Sequence, residues 1–201
     1  FGIWISMFIT WVLTGCIVVF ILLMPGFVGG VLGFSPFETT YFQMVGLVCI
    51  VSSCWLTGRL ADKHNPSTLC ILFSAGFAVS SVAFFSLLYT AAPVVSEVVL
   101  AYFATCFFAG IMNFCPIFMC DVFPARIRFS GISFAYNIAY ALSGAFTPQL
   151  SFALHAYAKT HPDTLGAMGL SAYIVFLALV SIGTALAMRR VYKNGGAAVS
   201  Q

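Results

Sequence analysis

IWISMFITWVLTGCIVVFILLMPGFVGGVL, residues 3–32, holds no charged side chain and only scattered Ser and Thr. A helix rising about 1.5 Å per residue needs roughly 20 such residues to cross a hydrocarbon layer about 30 Å thick. This segment therefore predicts a transmembrane helix. Five further segments of the same character follow, at about 36–58, 66–90, 96–120, 129–155 and 164–188, and short connectors between them hold almost all of the charge. Continuous apolar runs sprinkled with small residues argue for helices, because membrane strands would alternate polar and apolar positions over short lengths. The expected fold class is an all-α membrane protein of six transmembrane helices.

The composition agrees. Only 6% of residues are Asp, Glu, Lys or Arg, 62% are hydrophobic, and the mean hydropathy is +1.06, a balance that excludes an ordinary water-soluble domain. The chain begins at Phe1 without a starting Met and is apolar from its first residues, so it reads as a piece of a longer protein. A basic leader is lacking and the first apolar run is too long for a cleaved signal peptide.

Orientation follows from the cations, since Lys and Arg stay on the cytoplasmic side. Arg59 and Lys63 lie between spans two and three, Arg126 and Arg128 between four and five, and Arg189, Arg190 and Lys193 after six. The opposite connectors carry Lys159 with the acids Glu38, Glu97 and Asp163. Both ends of the chain are expected in the cytoplasm, in a plasma membrane of bacterial inner-membrane type. The net charge of +3 records this topology, and no nucleic-acid partner is expected.

Cofactor chemistry has no foothold in the sequence. Cys16, Cys49, Cys54, Cys70, Cys106, Cys115 and Cys120 fall within the spans without a C-x-x-C pair, as expected of small packing residues. His64, His155 and His161 sit in or beside connectors and have no second ligand at helical spacing, so no metal is assigned. An intramembrane enzyme is not expected either. Ser133 sits in a Gly-Ile-Ser run, but the nearest histidine, His155, lies 22 residues away on the same predicted helix, about 33 Å by helical rise.

Local signals mark the helix starts. Ser35-Pro36-Phe37-Glu38 joins a capping Ser, a Pro at the first helical position and a Glu placed to reach back, and Asn65-Pro66 is a simpler version. Pro25, Pro116 and Pro148 lie inside helical runs, where bends are expected. The spans read as residues 1–190 in one bundle, with 191–201 as a cytoplasmic tail. The basic connectors after spans two and four suit two inverted three-helix repeats.

Two stretches carry a family resemblance. Gly58-Arg59-Leu60-Ala61-Asp62-Lys63 resembles the G-x-L-A-D-R/K signature of the major facilitator superfamily, although Asn65-Pro66-Ser67 stands where that family usually continues with Gly and paired Arg. Asp121-Val122-Phe123-Pro124-Ala125-Arg126-Ile127-Arg128-Phe129-Ser130-Gly131 is followed by Phe134-Ala135-Tyr136-Asn137 and Gly144-Ala145-Phe146-Thr147-Pro148. This longer stretch is similar to the tenth-to-eleventh helix region of the metabolite:proton symporters, whose members include proline/betaine, α-ketoglutarate, citrate and shikimate permeases. The resemblance implies the C-terminal six-helix half of a twelve-helix secondary transporter that moves a small polar metabolite with protons by alternating access. Its partners would be the solute, protons, membrane lipids and the missing N-terminal six-helix half. The competing expectation is a truncated or non-transporting membrane scaffold.

Candidate site residues follow from position. Asp121, Arg126 and Arg128, with Asp62 at the other basic connector, are placed to pair as a cytoplasmic gate, or else the arginines only set topology and bind lipid phosphates. Ser133, Asn137, Tyr140 and Gly144 share one face of span five, and Thr105, Ala109, Asn113 and Pro116 are in similar register on span four. Asn113 and Asn137 face either a wet cavity or another helix, because an amide is costly in hydrocarbon. Trp11 and Thr14 are weaker candidates for the same cavity. No Asp, Glu, Lys or Arg falls in the middle third of a span, so a proton-coupling group is expected in the other half.

Overall fold

The predicted cap at residue 35 forms. In a computed structural model describing residues 1–90, 92–161 and 164–195, Glu38 N–H donates to Ser35 Oγ, and Ser35 N–H donates to the Glu38 carboxylate at 2.8 Å. Asn65 likewise accepts the N–H of Ser67 at 2.9 Å. Two helices thus begin where the sequence places them. Among the described residues the chain makes six helical rods: α1 (Gly2–Leu32), α2 (Pro36–Ala61), α3 (Pro66–Leu88), α4 (Val95–Val122), α5 (Arg128–Thr160) and α6 (Thr164–Gly195). Gly33 closes α1 at φ 72°, a left-handed cap that a residue with a Cβ would strain.

The rods differ from expectation mainly at their ends. α5 runs to Thr160 and α6 to Gly195, so residues 191–195 continue a helix rather than starting a tail. Residues 196–201 and Asp163 lie outside the described residues. Five rods are long and apolar enough to cross a membrane; α5 is the exception by composition. Their outward side chains are apolar, including Met44, Val48 and Val51 on α2, Leu72 and Val79 on α3, and Phe176 and Leu179 on α6. Surfaces of this kind belong to a multi-pass membrane protein.

The rods alternate in direction. A smaller core is built from Ile5 and Ile9 at the start of α1, Leu69 and Cys70 at the start of α3, Phe114, Phe118 and Met119 near the end of α4, and Ala185 and Met188 near the end of α6. Leu60, Ile132 and Tyr136 pack against it. One end of the bundle therefore gathers Phe1, the connectors at 62–65 and 123–127, and the last turns of α6, together with seven of the eight basic residues. The larger core fills the middle and the opposite end, where Phe20, Phe77, Phe84, Phe85 and Tyr102 are buried. Phe20 meets Phe77 edge-on at 5.4 Å, and Phe42 stacks on Tyr102 at 4.2 Å between ring centres.

Proline leaves its mark on two rods. In α1 the segment Ile17–Leu23 winds as a π-helix, so Met24 N–H bonds the carbonyl of Val19, and the next donor in that register would be Pro25, which has none. The orphaned Phe20 carbonyl accepts from Tyr102 Oη of α4 at 2.8 Å, and the Ile21 carbonyl accepts from Gln43 Nε2 of α2 at 2.8 Å. α4 tightens to a 3₁₀ turn over Ala109–Asn113 just before Pro116. Pro148, by contrast, sits within an unbroken α5.

Close approach explains how α2 and α4 join. A Cβ on Gly110 would lie 2.1 Å from Ser53 Oγ, and one on Gly46 would lie 2.7 Å from the Tyr102 ring. Ser53 Oγ also donates to the Phe107 carbonyl. Small residues at such a seam let backbones and polar groups meet where no hydrophobic force separates protein from lipid. Gly110→Ala is expected to destabilise the protein by about 1–3 kcal/mol in detergent unfolding, with part of the loss recovered when Ser53→Ala is added. An unaltered midpoint for Gly110→Ala alone would contradict the contact.

Candidate functional site

Helix α5 presents two unlike faces. Ala135, Ala139, Ser143, Thr147, Ser151 and His155 recur every fourth residue and are buried, forming a ridge of mostly small side chains that packs on α1. On its outer side Ser133, Asn137 and Tyr140 are exposed, and Gly144 has open space around the position of a Cβ. Asn137 Nδ2 is satisfied within its own helix, donating to the Ser133 carbonyl at 2.7 Å and approaching Ser133 Oγ at 3.3 Å. Tyr140 stacks on Tyr136 at 5.6 Å between ring centres. The amide thus needs no helix neighbour, and its other atoms face outward.

A cleft of about 330 Å³ opens beside this stripe, lined by Leu13 of α1, Pro116, Met119 and Cys120 of α4, and Ile132 and Tyr136 of α5. Cys115, which also borders it, keeps its thiol among Thr10 and Met119 at 3.7 and 3.9 Å. The cleft lies toward the basic end of the bundle, sharing Leu13, Met119, Ile132 and Tyr136 with the smaller core. α5 also reaches the far end. There His155 is buried, its ring lies flat on Phe27 at 3.9 Å, and its Nδ1 shares a hydrogen bond with Tyr89 Oη, just past the end of α3.

The structure separates the residues that the sequence grouped. Ser133, Asn137, Tyr140 and Gly144 share one open face. Asn113 belongs instead to the α2–α4 seam, where its Nδ2 donates to the Cys54 carbonyl at 3.1 Å and lies 3.3 Å from Thr57 Oγ1. Gly58 makes room for it, since a Cβ there would sit 3.3 Å from that nitrogen. Thr105 and Ala109 are buried and only Pro116 reaches the cleft. Trp11 and Thr14 serve the α1 side of the core: the Trp11 carbonyl lies 3.4 Å from Ser143 Oγ, and Thr14 bonds back to Thr10.

The expected gate is partnered differently. Asp121 accepts a hydrogen bond from Tyr192 Oη of α6, and Arg128 Nε donates to the Phe123 carbonyl at 3.2 Å, fastening its own connector. Asp121 and Arg128 each have another partner, so the tie at this end runs from α4 to α6. Gly131 lets the Phe123 ring settle against α5, because a Cβ would meet that ring at 2.6 Å. Arg126 and Asp62 are exposed in the two connectors, while Arg59 lies over Trp55 at 4.0 Å from the ring centre. Tyr192 escaped sequence reading because it falls beyond the paired arginines, and His155 because its isolated position gave no ligand pattern.

No protein-family model, no curated protein and no solved structure matches the chain. The site therefore stands on its own geometry. In a Cys120→Ser background, cysteines placed at Ser133, Asn137, Tyr140 and Gly144 are expected to react with a membrane-impermeant maleimide in intact membranes. Cysteines at Leu72 and Val79 should stay unmodified; equal labelling of both sets would show that the polar stripe is not the wet face.

Proposed function

We propose that the chain is one six-helix half of a secondary transporter of major facilitator type, which moves a small polar metabolite by alternating access with proton coupling. The observation that carries this reading is the open polar face of α5. The rods turn mainly apolar side chains outward, α5 included at Phe134, Ile138, Leu142 and Phe146, and the strip of α5 that also directs Ser133, Asn137 and Tyr140 to the outside needs water or a second bundle there. The solute would pass along that face, with the cleft between α1, α4 and α5 as its flank. An organic acid or a zwitterion of the proline/betaine kind fits an uncharged, hydrogen-bonding wall.

The packing order supports inverted three-helix repeats. α1 packs on α5 as α4 packs on α2, α3 meets α4 as α6 meets α1, and α2 meets α3 as α5 meets α6. The pairs α3 with α6 and α1 with α4 are those that an exchange of the triplets would map onto themselves, whereas α1 meets α2 more extensively than α4 meets α5. α1 and α4, which would correspond, are also the two rods interrupted just before a proline. Interrupted helices at matched positions are a feature of transporter repeats.

The gathering of basic residues at one end supports a cytoplasmic placement of that end in a plasma membrane. Since the acids and the Lys and Arg residues lie at helix ends or in connectors, proton exchange is assigned to the opposing bundle. No catalysis is proposed. Uptake of radiolabelled organic acids and zwitterions into sealed vesicles bearing the protein, with and without an imposed pH gradient, tests the reading. Gradient-stimulated uptake of one class is expected, and Asn137→Ala should raise its KM by about tenfold, the equivalent of ~1.4 kcal/mol of lost hydrogen bonding. Uptake indifferent to the gradient for every class would overturn it.

A further inference from the structure

A second groove lies between α1 and α6. Phe1, Trp4, Ile5 and Phe8 form one wall, and Val180, Gly183, Thr184 and Ala187 form the other, around about 370 Å³ of open space. The walls differ in size. α1 contributes aromatic bulk while α6 contributes small residues, and a Cβ on Gly183 would touch nothing within 4 Å. The small side chains of α6 leave the hollow open on that side.

A cation follows the groove along α6. Arg190 is exposed and stands seven residues after Gly183, two helical turns along the same side of α6 and about 10 Å nearer the bundle end. Arg59, Lys63, Arg126, Arg128 and Arg189 mark that same end, so Arg190 sits at the depth where a phosphate layer would lie. An acyl-sized apolar trough with an exposed arginine two turns farther along the same helix is complementary to one kind of molecule.

We propose that the α1–α6 groove is a binding site for an anionic phospholipid, one acyl chain lying over Gly183 against Trp4 and the phosphate held by Arg190. The occupant is a lipid of the leaflet at the basic end. Arg suits this role because its planar fork donates two parallel hydrogen bonds to a phosphate and its stem packs along apolar surface. The site is independent of the transport reading and needs only that the bundle stand in a bilayer.

Trp4 reports on it directly. In a Trp11→Phe, Trp55→Phe protein, Trp4 is the sole indole, and its fluorescence is read in bilayers containing a low, equal mole fraction of brominated phosphatidylglycerol or brominated phosphatidylcholine. The glycerol lipid is expected to quench as though enriched about fivefold, the preference a single basic residue gives at an anionic surface. Arg190→Gln should equalise the two lipids and Arg190→Lys should retain most of the preference. Gly183→Leu, which fills open space, should reduce quenching by both. Equal quenching by both lipids in the parent protein would overturn the site. So would weak quenching by either, which would mean that a second copy or another part of the protein covers Trp4, or a preference that survives Arg190→Gln.

Discussion

In hydrocarbon every backbone carbonyl must find a donor inside the protein, and the arrangement of this bundle turns on the break that Pro25 makes in the α1 ladder. A membrane helix that loses a donor has no water to fall back on, so its neighbours must come close enough to replace it. Tyr102 and Gln43 do so from two different helices, and in doing so they fix the positions of α4 and α2 against α1. The π-helical turn is the conformational side of the same adjustment. It leaves the Phe20 and Ile21 carbonyls each reaching a donor on a different rod.

That requirement passes outward through the packing. Tyr102 reaches Phe20 only because Gly46 of α2 leaves room for its ring, and Gly110 does the same for Ser53. Once α2 and α4 are this close, Asn113 is within reach of the Cys54 carbonyl. The aromatic cluster around Phe20 then fills the centre at ring separations typical of favourable edge and offset contacts. Polar satisfaction and apolar packing are one system here.

The helices and their starts were legible in the sequence because they depend on local chemistry: a run of apolar residues, a Ser three positions before a Glu, an Asn before a Pro. The shared open face of Ser133, Asn137, Tyr140 and Gly144 was legible too, since helical periodicity alone places those residues together. Partners across helices were not. Asp121 is near Arg128 along the chain, yet its hydrogen bond comes from Tyr192, 71 positions away, and spacing holds no information about which distant rod arrives beside it. Asn113 illustrates the same limit: an amide in a span demands a partner, and only the register between α2 and α4 determines that the partner is backbone.

His155 has a mechanical consequence. Its hydrogen bond to Tyr89 and its stacking on Phe27 tie α5 to α3 and α1 near one extremity of the rod, while the opposite extremity borders an unfilled cleft. Ser133 lies 22 residues from that fastening and Gly144 lies 11, so at constant rise per residue any swing of α5 about His155 carries Ser133 about twice as far as Gly144. Such a swing would displace the polar stripe unequally along its length, least at Gly144 and most at Ser133.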